Sequence, residues 1–461
     1  MNLRYLLKAS IFISLCLITF TEAQGGMANN WASTDTKNSS TGLNQQNQKA
    51  SEKLWFDKID SHWGGRFKVE GLVSSADDAS IYKPVGAGTY FDGIASLRLT
   101  NETFFSDSVF FEIQFESILA GGDTVRKHNE LEAFFPNLPE GILIPGAPLN
   151  DDRRLMDLTA IHEQDSYFWI NRLDRLYLAL MPDWGAIRIG RQPITLGNGL
   201  IFNPMDLFNP FPPTAIDRDY KAGDDMVTAQ IHVPSIGDFQ TIWVIRRDPV
   251  SGDVEPDQNS LAGTLHLATG TTDFDIMATR HYSDYVIGAG ATGYLGDAAW
   301  RMDATWTFLQ DSENSNYLSL VANMDYSWVW LNKNCYGLIE FYFNGLGETD
   351  YKEALTNPDI VKRLSRGELF VLDRYYLSGS IQMELHPLFN VFFTSINNVV
   401  DPSGILQPRA VWDITQNLQM TFGVNITWGA KGTEFGGFTI PGTDLLSRSP
   451  NNAYTWLTYY F

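Results

Sequence analysis

The segment QNLQMTFGVNITWG alternates without a break, with Leu418, Met420, Phe422, Val424, Ile426 and Trp428 on one face. Gln419, Thr421, Gly423, Asn425 and Thr427 fall on the other. A period of two over that length specifies a strand and excludes a helix. The split recurs in WRMDATWTF, where Trp300, Met302, Ala304, Trp306 and Phe308 oppose Arg301, Asp303, Thr305 and Thr307. In YLSLVANMDYSW, Leu318, Leu320, Ala322, Met324 and Tyr326 oppose Ser319, Val321, Asn323 and Asp325. Near the start, Phe91, Ala95, Leu97 and Leu99 oppose Tyr90, Asp92, Ser96 and Arg98, and Val109, Phe111, Ile113 and Phe115 oppose Glu112, Gln114 and Glu116. Apolar faces with Trp and Phe near strand ends, backed by faces carrying charges of both signs, predict lipid outside and water inside. Strands enter lipid only as a closed barrel, because hydrocarbon cannot satisfy free N–H and C=O groups.

Residues 1–23 read as a signal peptide. Arg4 and Lys8 precede the apolar run ASIFISLCLITF, and Thr21-Glu22-Ala23 offers small residues for cleavage before Gln24. The run is shorter than the roughly 20 residues a spanning helix needs. Removing residues 1–23 takes two bases and Glu22, moving the net charge from −21 to −22. Cys335 would then be the only cysteine, so no internal disulfide is expected. So acidic a chain disfavours nucleic acid as a partner. Residues 24–60 are rich in Asn, Gln, Ser, Thr and Gly and read as a flexible polar periplasmic arm, leaving 61–461 as one β-domain.

The connections test the barrel independently, since long and short loops should alternate. Short turns are expected at 415–417, at His386-Pro387, at 331–333 and 295–297, and at 269–271, 235–237 and 181–184. Long connections are expected at 430–452, 347–372, 194–222 and 120–165, with a smaller outer turn at 401–404. This parity predicts an all-β, transmembrane, antiparallel, up-and-down barrel of about 18 strands (range about 16–20) with long extracellular loops; such a barrel leaves an aqueous lumen.

Counting inward positions places Arg66, Lys68, Glu70, Asp92, Arg98, Glu112, Glu116, Arg301, Asp303, Asp325, Glu340, Glu384, Arg409 and Asp413 on the channel wall. Acids outnumber bases, which predicts a modest cation preference. The stretch GRQPITLGNGLIFNPMDLFNPFPPTAIDRDYKAGDD is too apolar to wave in solvent. It is expected to fold into the mouth as a constriction carrying Phe202, Asp206, Phe208, Phe211, Asp217 and Arg218, or to lie as a lid on the 120–165 loop. Asn203-Pro204 reads as a helix start within it. The acidic groups Asp151-Asp152, Glu163 with Asp165, and Asp253, Glu255 and Asp257 lack the ordered spacing of a calcium loop and read as solvated.

The last residues, YTWLTYYF, alternate Leu457, Tyr459 and Phe461 and resemble the closing strand of bacterial outer-membrane barrels, in which that strand is the assembly signal. The resemblance implies the outer membrane of a Gram-negative bacterium, with lipid, lipopolysaccharide and the barrel-assembly machinery as partners. A strand ending in GRQ before a Gly-containing turn and an Asp–Pro-rich loop is similar to large porin-like proteins, the 18-stranded alginate-export group among them. The barrel partner of porin–cytochrome conduits is a second resemblance; without a Cys-x-x-Cys-His site this chain would be only the sheath around a periplasmic cytochrome. The sequence has no Gly-x-Ser-x-Gly elbow, metal-binding His pair or phosphate loop, so no enzyme and no cofactor are expected. The expectation is a channel for small hydrophilic solutes or ions, alone or as a homo-oligomer; the alternative is a conduit for electrons or polymer.

Overall fold

A computed structural model describes residues 59–134, 150–216, 220–234, 236–310, 315–439 and 444–461. The expected signal peptide and all but the last two residues of the expected arm lie outside them. Eighteen antiparallel strands close into one barrel. The first six are β1 (Asp60–Ser75), β2 (Thr89–Ser106), β3 (Val109–Gly122), β4 (Tyr167–Leu180), β5 (Gly185–Gln192) and β6 (Asp224–Val233). Next come β7 (Gly237–Val244), β8 (Ser260–Thr269), β9 (Thr272–His281), β10 (Asp284–Leu295), β11 (Ala298–Phe308) and β12 (Tyr317–Trp330). The last are β13 (Lys333–Asn344), β14 (Tyr375–His386), β15 (Phe389–Asn398), β16 (Ser403–Asp413), β17 (Leu418–Gly429) and β18 (Asn451–Tyr460). A further short strand, Thr159–Gln164, pairs with β4 beyond the end of β5.

Each strand pairs with its neighbour in sequence, and β18 returns to β1 from Arg66↔Tyr460 to Ser75↔Asn451. The final residue extends this seam: Phe461 N–H donates to Gly65 O at 3.0 Å and accepts the return bond at 2.9 Å. Gly65 is required there, because a Cβ would sit 2.4 Å from Arg98 O and 2.7 Å from the Phe461 ring. Leu457, Tyr459 and Phe461 all lie exposed on the outer surface of the seam.

Short turns gather at one end, the inner rim, and longer loops at the other. Two outer connections break that contrast: residues 399–402 join β15 to β16, and Tyr282-Ser283 joins β9 to β10 directly, with Tyr282 at φ 53°. At the inner rim, Leu331 and Asn332 at φ 51° and 57° form the kind of left-handed two-residue turn that matches strand twist. Exposed Trp63, Trp184, Trp330 and Tyr459 band the inner end, and Phe91, Trp169, Trp243, Tyr285 and Trp306 the outer. Two aromatic bands flanking an apolar belt are what a bilayer demands of a barrel.

Three described helices, α1 (Asp123–Phe134), α2 (Tyr351–Thr356) and α3 (Pro358–Arg366), sit in the outer loops. Asn357 caps α3 by accepting from the Asp359 and Ile360 N–H groups, and Gly367 ends it in the left-handed conformation. No helix starts at Asn203-Pro204. Asn203 instead donates to Leu196 O at 2.8 Å, and Pro210, Pro212 and Pro213 deny any helix its N–H groups.

Candidate functional site

The described residues of the segment between β5 and β6, 193–216 and 220–223, run inside the cylinder; only there can one chain touch so many strands. Asp303 on β11 accepts the backbone N–H groups of Asn198 at 2.5 Å and Gly199 at 3.1 Å. Asn198 also donates to Asp275 on β9 at 3.0 Å. Glu340 on β13 then gathers three successive N–H groups, those of Leu200 at 2.9 Å, Ile201 at 3.1 Å and Phe202 at 2.6 Å. Across the barrel, Gln407 on β16 donates to Thr214 O at 2.9 Å and Arg409 to Ile216 O at 2.9 Å. Tyr220 lies between the guanidiniums of Arg66 at 4.9 Å and Arg98 at 4.1 Å.

Apolar packing completes the attachment. Phe202 stacks on Tyr342 with centroids 4.4 Å apart, and Phe208 meets His281 edge-on at 5.6 Å. Leu196, Met205 and Phe208 join Met226, Ile242, Val244, Ala262 and Met277 in one buried cluster. Asp206 and Lys221 pair at 2.5 Å, and Lys221 also donates to Ile194 O, tying both stems of the segment together. Burial pushes the Asp206 carboxyl up and the Lys221 amine down, and the opposite charge of each partner works against that shift. Phe211 is half-buried; Asp217 and Arg218 lie outside the described residues.

The wall residues expected from sequence all take inward positions, but they are engaged differently. Lys68 pairs with Glu70 at 3.5 Å and lies over Trp456 at 4.9 Å. Arg98 bridges Glu116 at 3.2 Å and Asp174 at 3.0 Å, and Glu116 also holds Arg172 at 2.6 Å. Glu112 accepts from Gln114 and from the Tyr177 hydroxyl. Asp92 accepts from Thr124 N at 2.8 Å and so serves the start of α1. Arg301 pairs with Asp325 at 2.8 Å, Glu384 accepts from Asn334 at 3.1 Å, and Asp413 accepts from Gln419 at 2.8 Å.

The inward face is not polar throughout. In the outer half it carries Ile118, Phe168, Ile170, Ile242, Val244, Met277, Val321, Tyr342, Tyr376, Ile396 and Ile405, all buried. Loops folded inward need an apolar wall to pack against, and these residues supply it. The acidic group at 151–152 is likewise not fully solvated. Asp151 is buried between Arg154 at 2.8 Å and Arg191 at 3.1 Å.

Sequence reading missed Asp174, Asp275, Asn198, Tyr220 and Arg191. Asp174 is the extra residue of a bulge opposite Gln114 and Phe115, which flips the inward parity partway along β4. Arg191 belongs to the GRQ stretch. Gly190 lets β5 approach Leu176 O, where a Cβ would stand 2.2 Å away. Arg191 then binds Asp225 at 2.9 Å, Asp151 at 3.1 Å and Met156 O at 2.6 Å.

At the outer rim a polar node joins three connections. Glu434 accepts from Leu372 N at 2.6 Å, Tyr376 Oη at 2.7 Å and Asn398 Nδ2 at 2.9 Å. Asn398 Nδ2 also donates to Asp373, and Glu434 N–H and the Tyr351 hydroxyl donate to Asp401. Burial drives the Glu434 carboxyl up to about 7, against the donors and with the charge of Asp401. Its folded value lies above its unfolded one, so it stabilises the node fully below the unfolded value and stops doing so as pH rises through about 7. Hydrogen exchange in 430–439 should therefore accelerate between about pH 6 and about pH 8 beyond the intrinsic base-catalysed increase. Glu434→Gln should remove that excess; an excess that persists in the variant would show that another group controls it.

No family model and no curated protein sequence matches this chain. Among solved structures it is similar to Acinetobacter baumannii OccAB1, at 7% identity and TM-score 0.49, over 89% of this chain and 98% of that one. It is also similar to a BenF-like porin from Pseudomonas fluorescens Pf-5, at 9% identity and TM-score 0.49, over 87% and 98%. A third is Pseudomonas aeruginosa OpdK with vanillate, at 9% identity and TM-score 0.49, over 88% and 99%. The fold rests on the closed strand pairing alone. By architecture the chain is a closed barrel of 18 antiparallel strands.

Proposed function

We propose that this chain is an outer-membrane channel for small hydrophilic solutes or ions, narrowed by residues 193–223. The observation that carries the reading is the loop bonded to β9, β11, β13 and β16 from within a closed barrel. The apolar belt with its two aromatic bands supports lipid as the surrounding medium. Arg301, Asp325, Glu384, Arg409 and Asp413, half-buried on the inner half of the wall, would line the path together with the half-buried loop residue Phe211.

The sheath of a multi-protein conduit is the alternative, and the same loop weighs against it. A barrel that houses a partner needs an empty lumen, whereas Phe202, Met205 and Phe208 already occupy part of this one. Purified protein in planar bilayers should give discrete conductance steps. Correctly folded barrels that insert without conducting would overturn the channel reading.

A further inference from the structure

The two halves of the lumen differ in what they leave open to water. Inward residues of the outer half are largely buried under loops, whereas most of those in the inner half are half-buried or exposed, buried Glu112, Gln114 and Arg175 on β3 and β4 being exceptions. The open inner half carries Glu102, Asp238, Asp273, Asp325, Glu384 and Asp413, contributed by β2, β7, β9, β12, β14 and β16. Register fixes their facing. Glu102 pairs across with Glu112, Asp238 with His266, and Asp325 with Leu338, two positions along from loop-bound Glu340.

The bases on that surface are fewer. Arg301 is spent on Asp325 at 2.8 Å, and Arg409 is held by Ile216 O and lies over Phe392 at 4.3 Å. Arg188 is half-buried on β5. His232 and His266 each turn one ring nitrogen to a carboxylate, Asp238 and Asp275, at 2.8 Å. Carboxylates spaced around a vestibule with low-dielectric walls focus a negative potential into the water between them. Charge rings of this kind set ion preference.

Resting on the channel reading above, we propose that the inner vestibule selects for cationic solutes. Its carboxylates concentrate cations ahead of the loop barrier, and anions are depleted before they reach it. The preference belongs to this one end of the pore. The acids of the outer loops, such as exposed Asp257 between β7 and β8, stand outside it.

The test is the reversal potential of the inserted protein across a potassium chloride gradient. Wild type should reverse on the cation-selective side of zero, more strongly at low salt, where screening is weaker. Glu102→Gln/Asp238→Asn/Asp273→Asn should lose at least half of that displacement, and Asp257→Asn should lose none. Because the triple variant is scored only from conducting channels, a misfolded protein cannot mimic the result. Anion-selective conduction, or a triple variant indistinguishable from wild type, would overturn the vestibule while leaving the channel standing. A complete absence of conduction would overturn both.

Discussion

Deletion of residues 200–215 is expected to raise single-channel conductance several-fold. Within that span lie all three N–H groups held by Glu340, the stacked Phe202 and the Thr214 carbonyl held by Gln407. Hydrogen bonds to a charged group contribute about 1.5–3 kcal/mol each, so Glu340 is a strong point of attachment even after allowing for non-additivity. The deletion also uncovers Ile242, Val244 and Met277, at about 1.5–3 kcal/mol per large side chain returned to water. That cost falls on the lumen surface and leaves the strand ladder intact, so the barrel should survive. Glu340→Ala is the gentler version, expected to give noisier current with a higher mean. A deletion variant that folds and conducts like wild type would reject the constriction.

Arg191→Met should destabilise the assembled barrel by about 3–5 kcal/mol. Its guanidinium is 1% exposed and reaches Asp225, Asp151 and the Met156 carbonyl together. Arg154 still holds Asp151 at 2.8 Å, and Met156 N–H still reaches Asp225 at 2.7 Å, which keeps the loss within that range. The damage should be local, freeing the 150–158 segment and fraying β5 from β6. Thermal conversion of the folded to the unfolded form on gels reads the effect. Arg191→Met/Asp225→Leu should recover part of it, because the orphaned carboxylate goes as well. A single variant as heat-resistant as wild type would show that the buried pair is dispensable.

The barrel was legible in the chain because a period of two survives wherever one face meets lipid. The alternations at 418–428, 300–308 and 318–326 emerge with Met302, Trp306, Met324, Tyr326, Phe422 and Ile426 exposed as expected. Loop parity was legible too, since Gly, Pro, Asn or Asp marks the inner turns, but the outer turn Tyr282-Ser283 carries no such residue and was not foreseen. What the pattern hides is which inward residues touch water. Glu340 and Glu384 have the same chemistry and parity on neighbouring strands, yet one is sealed under backbone amides and the other stays half open. That difference depends on where residues 198–202 settle, and no local periodicity encodes it. The bulge at Asp174 and the long reach of Arg191 are tertiary in the same sense.

The seam between β1 and β18 has a consequence for biogenesis. Its two edges, Arg66–Ser75 and Asn451–Tyr460, lie far apart along the polypeptide, so the circle stays open until both have been made and have met. Until they meet, each edge presents a row of unpaired backbone amides, ready to recruit a neighbour. Ring closure is the single event that removes both edges at once.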